Sequence, residues 1–250
     1  MSRMARKISS TGIYHVMMRG VNRQQIFFDE EDRRYMTDRL GYYKREAGFQ
    51  LYAYCLMGNH LHILIKVADE PLGAVFRKIC ASFVFWYNKK YQRTGYLFQD
   101  RFKSEAVEDD KYFLTVLRYI LQNPVKGGLC KSVFDYDYSS IKEYTGERRG
   151  ITDTAFAIEM TGRKGLLEFL SEINDDECLD FNENFKRGVT DEDAQGLILK
   201  ETGGLSLSGA SFDELQQVGV IRRLYKGGVS IRQISRLTGL SKSRVEKALK

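Results

Sequence analysis

The spacing of apolar and polar positions predicts an alternation of strands and helices over the first half of the chain. Short runs rich in β-branched and aromatic residues predict strands at 13–19, 49–57, 60–66 and 102–107. Apolar residues at helical spacing predict helices at 29–47, 71–91 and 113–122, the last of them ended by Pro124. This order predicts an α+β fold, ferredoxin-like in outline, in which one antiparallel sheet carries its helices on one face.

A second helical pattern occupies the C-terminal end of the chain. Three short helices are predicted at 213–226, 231–238 and 242–249, with a turn at 239–241 between the last two. The pattern is typical of a helix-turn-helix module, which places its last helix in the major groove of duplex DNA. A helical hairpin that binds another protein is the alternative. The side chains expected to contact the duplex are Lys242, Ser243, Arg244 and Lys247.

Charge is distributed unevenly along the chain. Residues 1–150 carry 25 Lys and Arg against 17 Asp and Glu, whereas residues 151–215 carry 5 against 15. Residues 216–250 are basic again, with 9 against 1. Two basic blocks around an acidic one indicate two surfaces that bind polyanions, although solvated surface charge would look similar. We predict an α+β domain at 1–145, an acidic and mostly helical connector at 146–212, and a DNA-binding module at 213–250.

The cysteines indicate a reducing environment. Cys55, Cys80, Cys130 and Cys178 are widely scattered and form no Cys-x-x-Cys pair, so neither a zinc ribbon nor a disulfide scaffold is indicated. The sequence shows no signal peptide, and its apolar runs are too short to span a bilayer. We therefore expect a cytoplasmic protein.

Two of the three histidines, His60 and His62, lie two positions apart on one predicted strand. Alternate residues of a strand point to the same face, so the two imidazoles stand side by side, roughly 7 Å apart at the backbone. At that distance both rings can bind one divalent cation. The alternative is a pair of hydrogen-bonded histidines on a half-exposed strand. The very apolar flanks favour the metal site, because buried imidazoles need a specific partner.

Tyr119 and Asn123 lie four residues apart on a predicted helix, and helical geometry places them on one face, with Arg118 adjacent. By itself, a tyrosine on an amphipathic helix is usually a core or rim residue. An asparagine before a proline usually ends a helix. Both residues become candidates for a reactive site only together with the histidine pair.

Together, His60, His62 and Asn123 offer two imidazoles and an amide oxygen, which leave open positions for substrate oxygens. A shell of this kind suits Mg²⁺ or Mn²⁺ bound to a phosphodiester. The Tyr119 phenol would then attack the phosphorus and form a covalent phosphotyrosine. A phenol has an unperturbed pKa of about 10, so it needs the metal or a basic neighbour to lose its proton. The sequence contains no P-loop motif for nucleotide hydrolysis.

A basic and aromatic edge is predicted near 96–107, where Arg101 and Lys103 alternate with Phe98 and Phe102. Such edges hold single-stranded nucleic acid through charge and stacking, although a strand with basic residues extended into solvent would look alike. The predicted DNA contacts of the first domain are Arg19, Arg101, Lys103 and Arg118.

Four sequence blocks, in their order and spacing, resemble the single-tyrosine transposases of the HUH superfamily. They are YHVMMRGVNRQQIF, MGNHLHILI, GYLFQDRFKS and YILQNPVKGGL, and His60-Leu61-His62 is similar to the His-hydrophobic-His motif. The subgroup that the blocks resemble most is the REP-associated tyrosine transposases, relatives of the insertion-sequence-200-like enzymes. The resemblance covers roughly residues 8–140 and leaves out the connector and the C-terminal helices.

This resemblance implies a metal-dependent single-stranded DNA endonuclease and strand transferase that acts on hairpin-forming DNA. Such enzymes form a 5′-phosphotyrosine and release a 3′-hydroxyl. His60 and His62 match the metal ligands of the family, Tyr119 matches its nucleophile, and Asn123 matches its third, polar ligand position. Arg101 matches a basic position expected near DNA. Relatives can exchange the tyrosine helix across a homodimer, so the oligomeric state stays open.

Two other functions are compatible with the sequence. A DNA-binding transcriptional regulator could retain a transposase domain and act through the C-terminal helix-turn-helix. A metal-dependent phosphoesterase could use water in place of Tyr119 as the nucleophile. The complete set of ligands and nucleophile favours the transposase, which we expect to be associated with the nucleoid.

Overall fold

The computed structural model of the protein describes residues 7–174, 176, 178–180, 191–207, 212–229 and 231–249. Among them lie the strands β1 Ile13–Arg19, β2 Gln50–Leu56, β3 His60–Lys66 and β4 Lys103–Val107. The α-helices are α1 Glu30–Ala47, α2 Leu72–Lys90, α3 Asp110–Lys126, α4 Ile141–Thr145, α5 Ala155–Thr161, α6 Arg163–Ser171, α7 Asp191–Thr202, α8 Glu214–Lys226, α9 Ile231–Thr238 and α10 Lys242–Ala248. The chain folds as two units, Met1–Asp180 and Phe181–Lys250.

The strands of the first unit form one antiparallel sheet in the order β2-β3-β1-β4. Together with the element order β-α-β-β-α-β, this is the ferredoxin-like arrangement that the sequence predicts. β1 pairs with β3 so that Met17 lies opposite His62 and Arg19 lies opposite His60. Almost all residues of β2 and β3 are buried, so both faces of the sheet need cover.

Helices pack on both faces of this sheet, which corrects the prediction that they pack on one face. α1 and α2 share a core with Val16, Leu61 and Ile63. α3 packs with Ala53 and Leu64, whose side chains point to the opposite face. The physical reason is that successive residues of a strand alternate between faces, so a continuously apolar strand such as β3 needs partners on both sides.

Pro124 lies inside α3, although the sequence predicts that it ends this helix. Proline removes one N–H donor from the helix, but the last turn is closed by other bonds. The Gly127 N–H donates to the Asn123 carbonyl at 2.8 Å, and the Leu129 N–H donates to the Pro124 carbonyl at 2.8 Å. The helix therefore continues to Lys126 and carries Asn123 in a regular helical position.

Residues 138–153 run along the outer edge of β2. The Leu56 N–H donates to the Tyr138 carbonyl at 2.9 Å, and the Ser140 N–H donates to the Tyr54 carbonyl at 3.0 Å. Further along, the Leu51 N–H donates to a carboxylate oxygen of Asp153 at 2.8 Å. At these positions the backbone groups of the edge strand are paired within the unit.

Helices α5 and α6 belong to the first unit, where α6 packs on α3 and α5 packs on α6. Their buried residues Ala157, Leu166 and Leu170 join the core of α3. The described residues between 146 and 180, which we assigned to the connector, therefore fold together with the sheet, and the two units divide after Asp180. The predicted functional division at 145 and 212 stays a prediction.

The second unit is helical in its described parts. α8, α9 and α10 surround a core that contains Ile221, Leu224, Ile234 and Val245, and α7 adds Ala194. The bounds of the last three helices lie within one residue of those predicted, whereas their use as a helix-turn-helix stays a prediction. None of the helices in the described ranges combines the length and apolar character that a membrane span requires.

Candidate active site

His60 and His62 lie on the face of the sheet that α3 covers. Both follow the alternation of β3 and share a face with Leu64, which packs against α3. His62 is completely buried, and His60 is half-buried. The centroids of the two imidazole rings are 5.2 Å apart, with an angle of 81° between the ring planes. The two side chains are therefore neighbours, as the His-x-His spacing predicts.

Helix α3 places Tyr119 over the same face. The centroid of the Tyr119 ring lies 5.8 Å from that of His62 and 5.9 Å from that of His15, in both cases edge-on. Only 6% of Tyr119 is exposed. The predicted nucleophile and the histidine pair are thus brought together within one chain.

Asn123 lies one turn after Tyr119 on α3 and is 9% exposed. Its amide nitrogen is 3.5 Å from the Tyr119 carbonyl oxygen, and its side chain also forms a hydrogen bond with His60. The spacing of four residues on the helix accounts for this position. Lys126 adds a cation, because its Nζ lies 5.1 Å from the centroid of the Tyr119 ring.

Burial determines the protonation of the histidines. Desolvation lowers the pKa of His15 to about 3. Desolvation also takes the pKa of His62 well below its usual value, with smaller contributions from His15 and His60. For His60, burial lowers the pKa, whereas the negative charge of Asp180 and the hydrogen bond with Asn123 oppose the shift. The buried imidazoles are therefore neutral near pH 7, which is the form that binds metals.

Asp180 is a site residue that sequence reasoning missed. One of its carboxylate oxygens, Oδ2, accepts a hydrogen bond from the Tyr119 hydroxyl at 2.8 Å. Burial raises the pKa of Tyr119, and the hydrogen bond and negative charge of Asp180 raise it further, against a smaller opposing effect of Asn123. The phenol is therefore held in its protonated form. Asp180 follows Tyr119 by 61 residues, in a stretch where several acidic residues look alike.

His15 is a second residue whose part in the site was missed, although it was placed correctly on β1. It is completely buried, and its Nε2 lies 3.0 Å from Nδ1 of His62. The two rings are stacked, with centroids 5.2 Å apart and an interplanar angle of 29°. A histidine in an apolar strand is a usable signal, but its partner depends on the register between β1 and β3, which the sequence does not reveal.

The residues predicted to contact DNA differ in how far they are buried and in the side chains that they contact. Arg19 donates to the side-chain oxygen of Gln99 at 3.2 and 3.3 Å. Arg118 pairs with Asp176 at 2.8 Å, and only 12% of its side chain is exposed, so an ion pair holds it inside the unit. The remaining predicted contacts, all exposed, are Arg101, Lys103, Lys242, Ser243, Arg244 and Lys247.

The donor set fits a cation with a mixed nitrogen and oxygen shell. In the described ranges, no group of three or more His, Cys, Asp and Glu side chains is placed to hold a metal ion. A site here therefore depends on two imidazoles and the Asn123 amide oxygen. One observation fits a bound cation: Nε2 of His62 is buried and has no hydrogen-bond partner among the described residues. Buried ring nitrogens usually have one.

The sequence of the part of the chain that carries this cluster matches a known class of transposases. Residues 9–123, which include His60, His62, Tyr119 and Asn123, match the family model described as Transposase IS200 like. This part of the chain is therefore similar to the IS200-like transposases.

Within that class, the chain is similar to REP-associated tyrosine transposases. It is 28% identical over 138 residues to a Haemophilus influenzae protein of that name, which covers 46% of this chain and 76% of the relative. It is 27% identical over 99 residues to one from Escherichia coli, which covers 39% of this chain and 57% of the relative. A solved structure of a REP-associated tyrosine transposase bound to a REP hairpin shares the fold, with a TM-score of 0.54, 19% identity, and coverage of 72% of this chain and 96% of that one. The resemblance inferred from the four sequence blocks is confirmed.

Proposed function

We propose that this protein is a metal-dependent single-stranded DNA endonuclease and strand transferase that cuts through a covalent 5′-phosphotyrosine on Tyr119. The observation that carries the proposal is the convergence of Tyr119, His60 and His62 on one buried face of the sheet. Ring centroids there are 5.2 Å apart between the histidines and 5.8 Å apart between His62 and Tyr119. The match of residues 9–123 to the IS200-like transposase family model supports the same reaction class.

His60, His62 and the Asn123 amide oxygen are the groups proposed to hold the cation, Mg²⁺ or Mn²⁺. When bound, such a cation polarises the scissile phosphate and stabilises the developing charge by several kcal/mol. Metal ligation requires neutral imidazoles, and burial lowers the pKa of both His60 and His62. Nε2 of His62, which has no hydrogen-bond partner among the residues that the structure describes, is the nitrogen proposed to face the cation.

Tyr119 is proposed to attack through its hydroxyl oxygen. Its O–H proton passes to solvent water, and a bond forms between the tyrosine oxygen and phosphorus as the bond from phosphorus to the 3′-oxygen breaks. The 3′-oxygen takes up a proton from solvent water and becomes a 3′-hydroxyl. Burial and Asp180 raise the pKa of Tyr119, so near neutral pH only a small fraction of the phenol is ionised, and the attack proceeds from that fraction. Strand transfer reverses these steps with the 3′-hydroxyl of another strand.

Hairpin-forming single strands are the proposed substrate. The solved transposase with this fold is described as bound to a REP hairpin, which supports a substrate of the same kind here. Exposed Arg101 and Lys103 would supply phosphate contacts in the first unit. In the second unit, the exposed basic residues of α10 are proposed to bind duplex DNA. A homodimer stays a prediction, since the cluster is assembled within one chain.

Trapping of the covalent intermediate tests the proposal. The protein is incubated with a labelled hairpin oligonucleotide and Mn²⁺, and a denaturing gel then separates any protein attached to DNA. Tyr119→Phe is expected to bind the hairpin without forming the adduct. The matched control is Tyr112→Phe, a half-buried tyrosine elsewhere on α3, which should form the adduct normally. If Tyr119→Phe cuts at the wild-type rate, water is the nucleophile and this mechanism is wrong.

The metal requirement has a separate test. His60→Ala is expected to abolish cutting and to weaken Mn²⁺ binding, because one of the two imidazole ligands is removed. Chelation by EDTA should stop the wild-type enzyme in the same way. Full cutting activity in EDTA would remove the cation from the mechanism while leaving Tyr119 as the nucleophile.

The second candidate function is a DNA-binding transcriptional regulator that acts through α8, α9 and α10. Lys242, Ser243, Arg244 and Lys247 favour this function, because all four are exposed along α10. A regulator should bind duplex DNA equally well with and without the Tyr119 hydroxyl, and the wild-type protein should form no covalent adduct with any hairpin.

A further inference from the structure

His15 is a buried polar residue without a role in the reaction proposed above. It lies in β1 between the buried residues Tyr14 and Val16, and 0% of it is exposed. Its Nε2 lies 3.0 Å from Nδ1 of His62, and the stacked rings differ by 29° in orientation. Burial of an imidazole inside an apolar strand costs free energy, so its presence calls for a specific use.

The hydrogen bond between the two neutral rings allows two proton arrangements. In the first, His62 carries its proton on Nδ1 and donates it to His15, which leaves a lone pair on Nε2 of His62. In the second, His15 donates from Nε2, and His62 carries its own proton on Nε2. The other nitrogens of the pair, His15 Nδ1 and His62 Nε2, have no hydrogen-bond partner among the described residues. A cation at His62 Nε2 would select the first arrangement, because a metal needs the lone pair.

We propose that His15 is a positioning residue that holds His62 in the tautomer and ring orientation needed to bind the divalent cation. The inference rests on the proposed metal-dependent reaction. His15 accepts the Nδ1 proton of His62 at 3.0 Å and so keeps Nε2 free. Histidine ligands commonly donate their second ring proton to a neighbouring acceptor, and loss of that acceptor weakens metal binding.

His60, the other proposed metal ligand on β3, also has a hydrogen-bond acceptor for its Nδ1 proton. Nδ1 of His60 lies 2.7 Å from Oδ1 of Asn59, and Nδ2 of Asn59 donates to the Arg23 carbonyl at 3.2 Å. Because the Asn59 nitrogen is already a donor, its oxygen is the acceptor, and His60 donates from Nδ1. His60 then carries its proton on Nδ1, the same tautomer that is proposed for His62. His15 is the deeper of the two supports, so its removal leaves a buried nitrogen of His62 without a partner.

The affinity of the full-length protein for Mn²⁺, measured by calorimetry without DNA, tests the inference separately from cleavage. His15→Phe keeps a ring but removes the acceptor, and we expect Mn²⁺ binding to weaken by about 10- to 100-fold. His15→Gln retains a carbonyl that can accept the Nδ1 proton and should recover part of the loss. The packing control is Met17→Leu, at a buried position opposite His62, which should bind Mn²⁺ like the wild type.

Nitrogen NMR of the histidine side chains gives a second readout that uses the wild-type protein alone. The chain has three histidines, so each imidazole can be assigned, and we expect His62 to be protonated at Nδ1 and bare at Nε2. A proton on Nε2 of His62 would overturn the inference, and so would folded His15→Phe with a Mn²⁺ affinity within twofold of the wild type. Wild-type protein that binds no Mn²⁺ would instead refute the proposed reaction, while the tautomer would still decide the role of His15.

Discussion

Replacement of Asp180 by asparagine should make the nucleophile easier to ionise. The Tyr119 hydroxyl donates to Asp180 at 2.8 Å, and this contact raises the pKa of Tyr119 beyond the effect of burial. Asp180→Asn keeps the shape of the side chain and removes its charge. A hydrogen bond to a charged group contributes about 1.5–3 kcal/mol, and about 1.36 kcal/mol corresponds to one pKa unit. Because Asp180 is exposed, water weakens the interaction and the lower end applies, so we expect the pKa of Tyr119 to fall by about one unit.

The assay is a pH titration of the phenol by NMR, with carbon-13 at Cζ of tyrosine. The spectrum of Tyr119→Phe identifies the Tyr119 signal among the 15 tyrosines of the chain. A pKa lower by about one unit raises the phenolate fraction up to about tenfold at any pH below the pKa. Adduct formation should therefore become up to about tenfold faster, and its rise with pH should shift to lower pH by about one unit.

The matched control is Asp176→Asn, which removes a nearby carboxylate that pairs with Arg118. It should leave the pKa of Tyr119 unchanged. Adduct formation that is tenfold slower in Asp180→Asn would refute this reasoning, because it would mean that the Asp180 carboxylate takes the proton of Tyr119 during the attack. An unchanged pKa of Tyr119 would show that, in solution, the hydrogen bond to Asp180 does not stabilise the protonated form of the phenol.

Three further predictions concern the stability of the fold and the second unit. Leu117→Ala, at a fully buried position on α3, should lower the free energy of unfolding by about 2–5 kcal/mol in urea titrations, whereas the exposed Lys111→Ala on the same helix should change it little. Acid should destabilise the wild-type fold, because the pKa of His15 is about 3 in the native state and 6.5 is its ordinary value. The unfolded chain therefore binds a proton that the native state excludes, which removes about 2.5 kcal/mol between pH 7 and about pH 4.5, and His15→Phe should flatten this dependence. Deletion of residues 213–250 should weaken duplex binding and reduce its salt dependence, and unchanged binding and salt dependence would exclude α8–α10 as the duplex-binding module.

The parts of the candidate site that depend on local geometry could be predicted from the sequence. Alternation along β3 puts His60 and His62 on one face, and a spacing of four residues on α3 puts Tyr119 and Asn123 on one face. That β3 and α3 pack against each other and bring their side chains into one site was expected only from the resemblance of the four sequence blocks to a known family. The apolar pattern alone predicted all helices on one face of the sheet. In the structure α1 and α2 cover one face, and α3 covers the other.

The remaining features depend on contacts between distant parts of the chain. His15 reaches His62 across 47 residues, and this contact depends on the register of two strands. Asp180 reaches Tyr119 across 61 residues from a stretch without a helical or strand pattern. Arg118 was expected to face DNA, but its nearest charged group, Asp176, lies 58 residues away along the chain. The sequence periodicity of a single helix or strand does not predict contacts between residues so far apart in the chain.

The pairing of the β2 edge limits how copies of this protein can join. An open strand edge is a template on which another chain can extend the sheet, and proteins that expose one are prone to aggregate. Here the positions that an incoming strand would need at Leu51, Tyr54 and Leu56 are already taken by residues 138–153 of the same chain. A continuous sheet shared by two molecules would therefore have to form at the other edge strand of the sheet, β4.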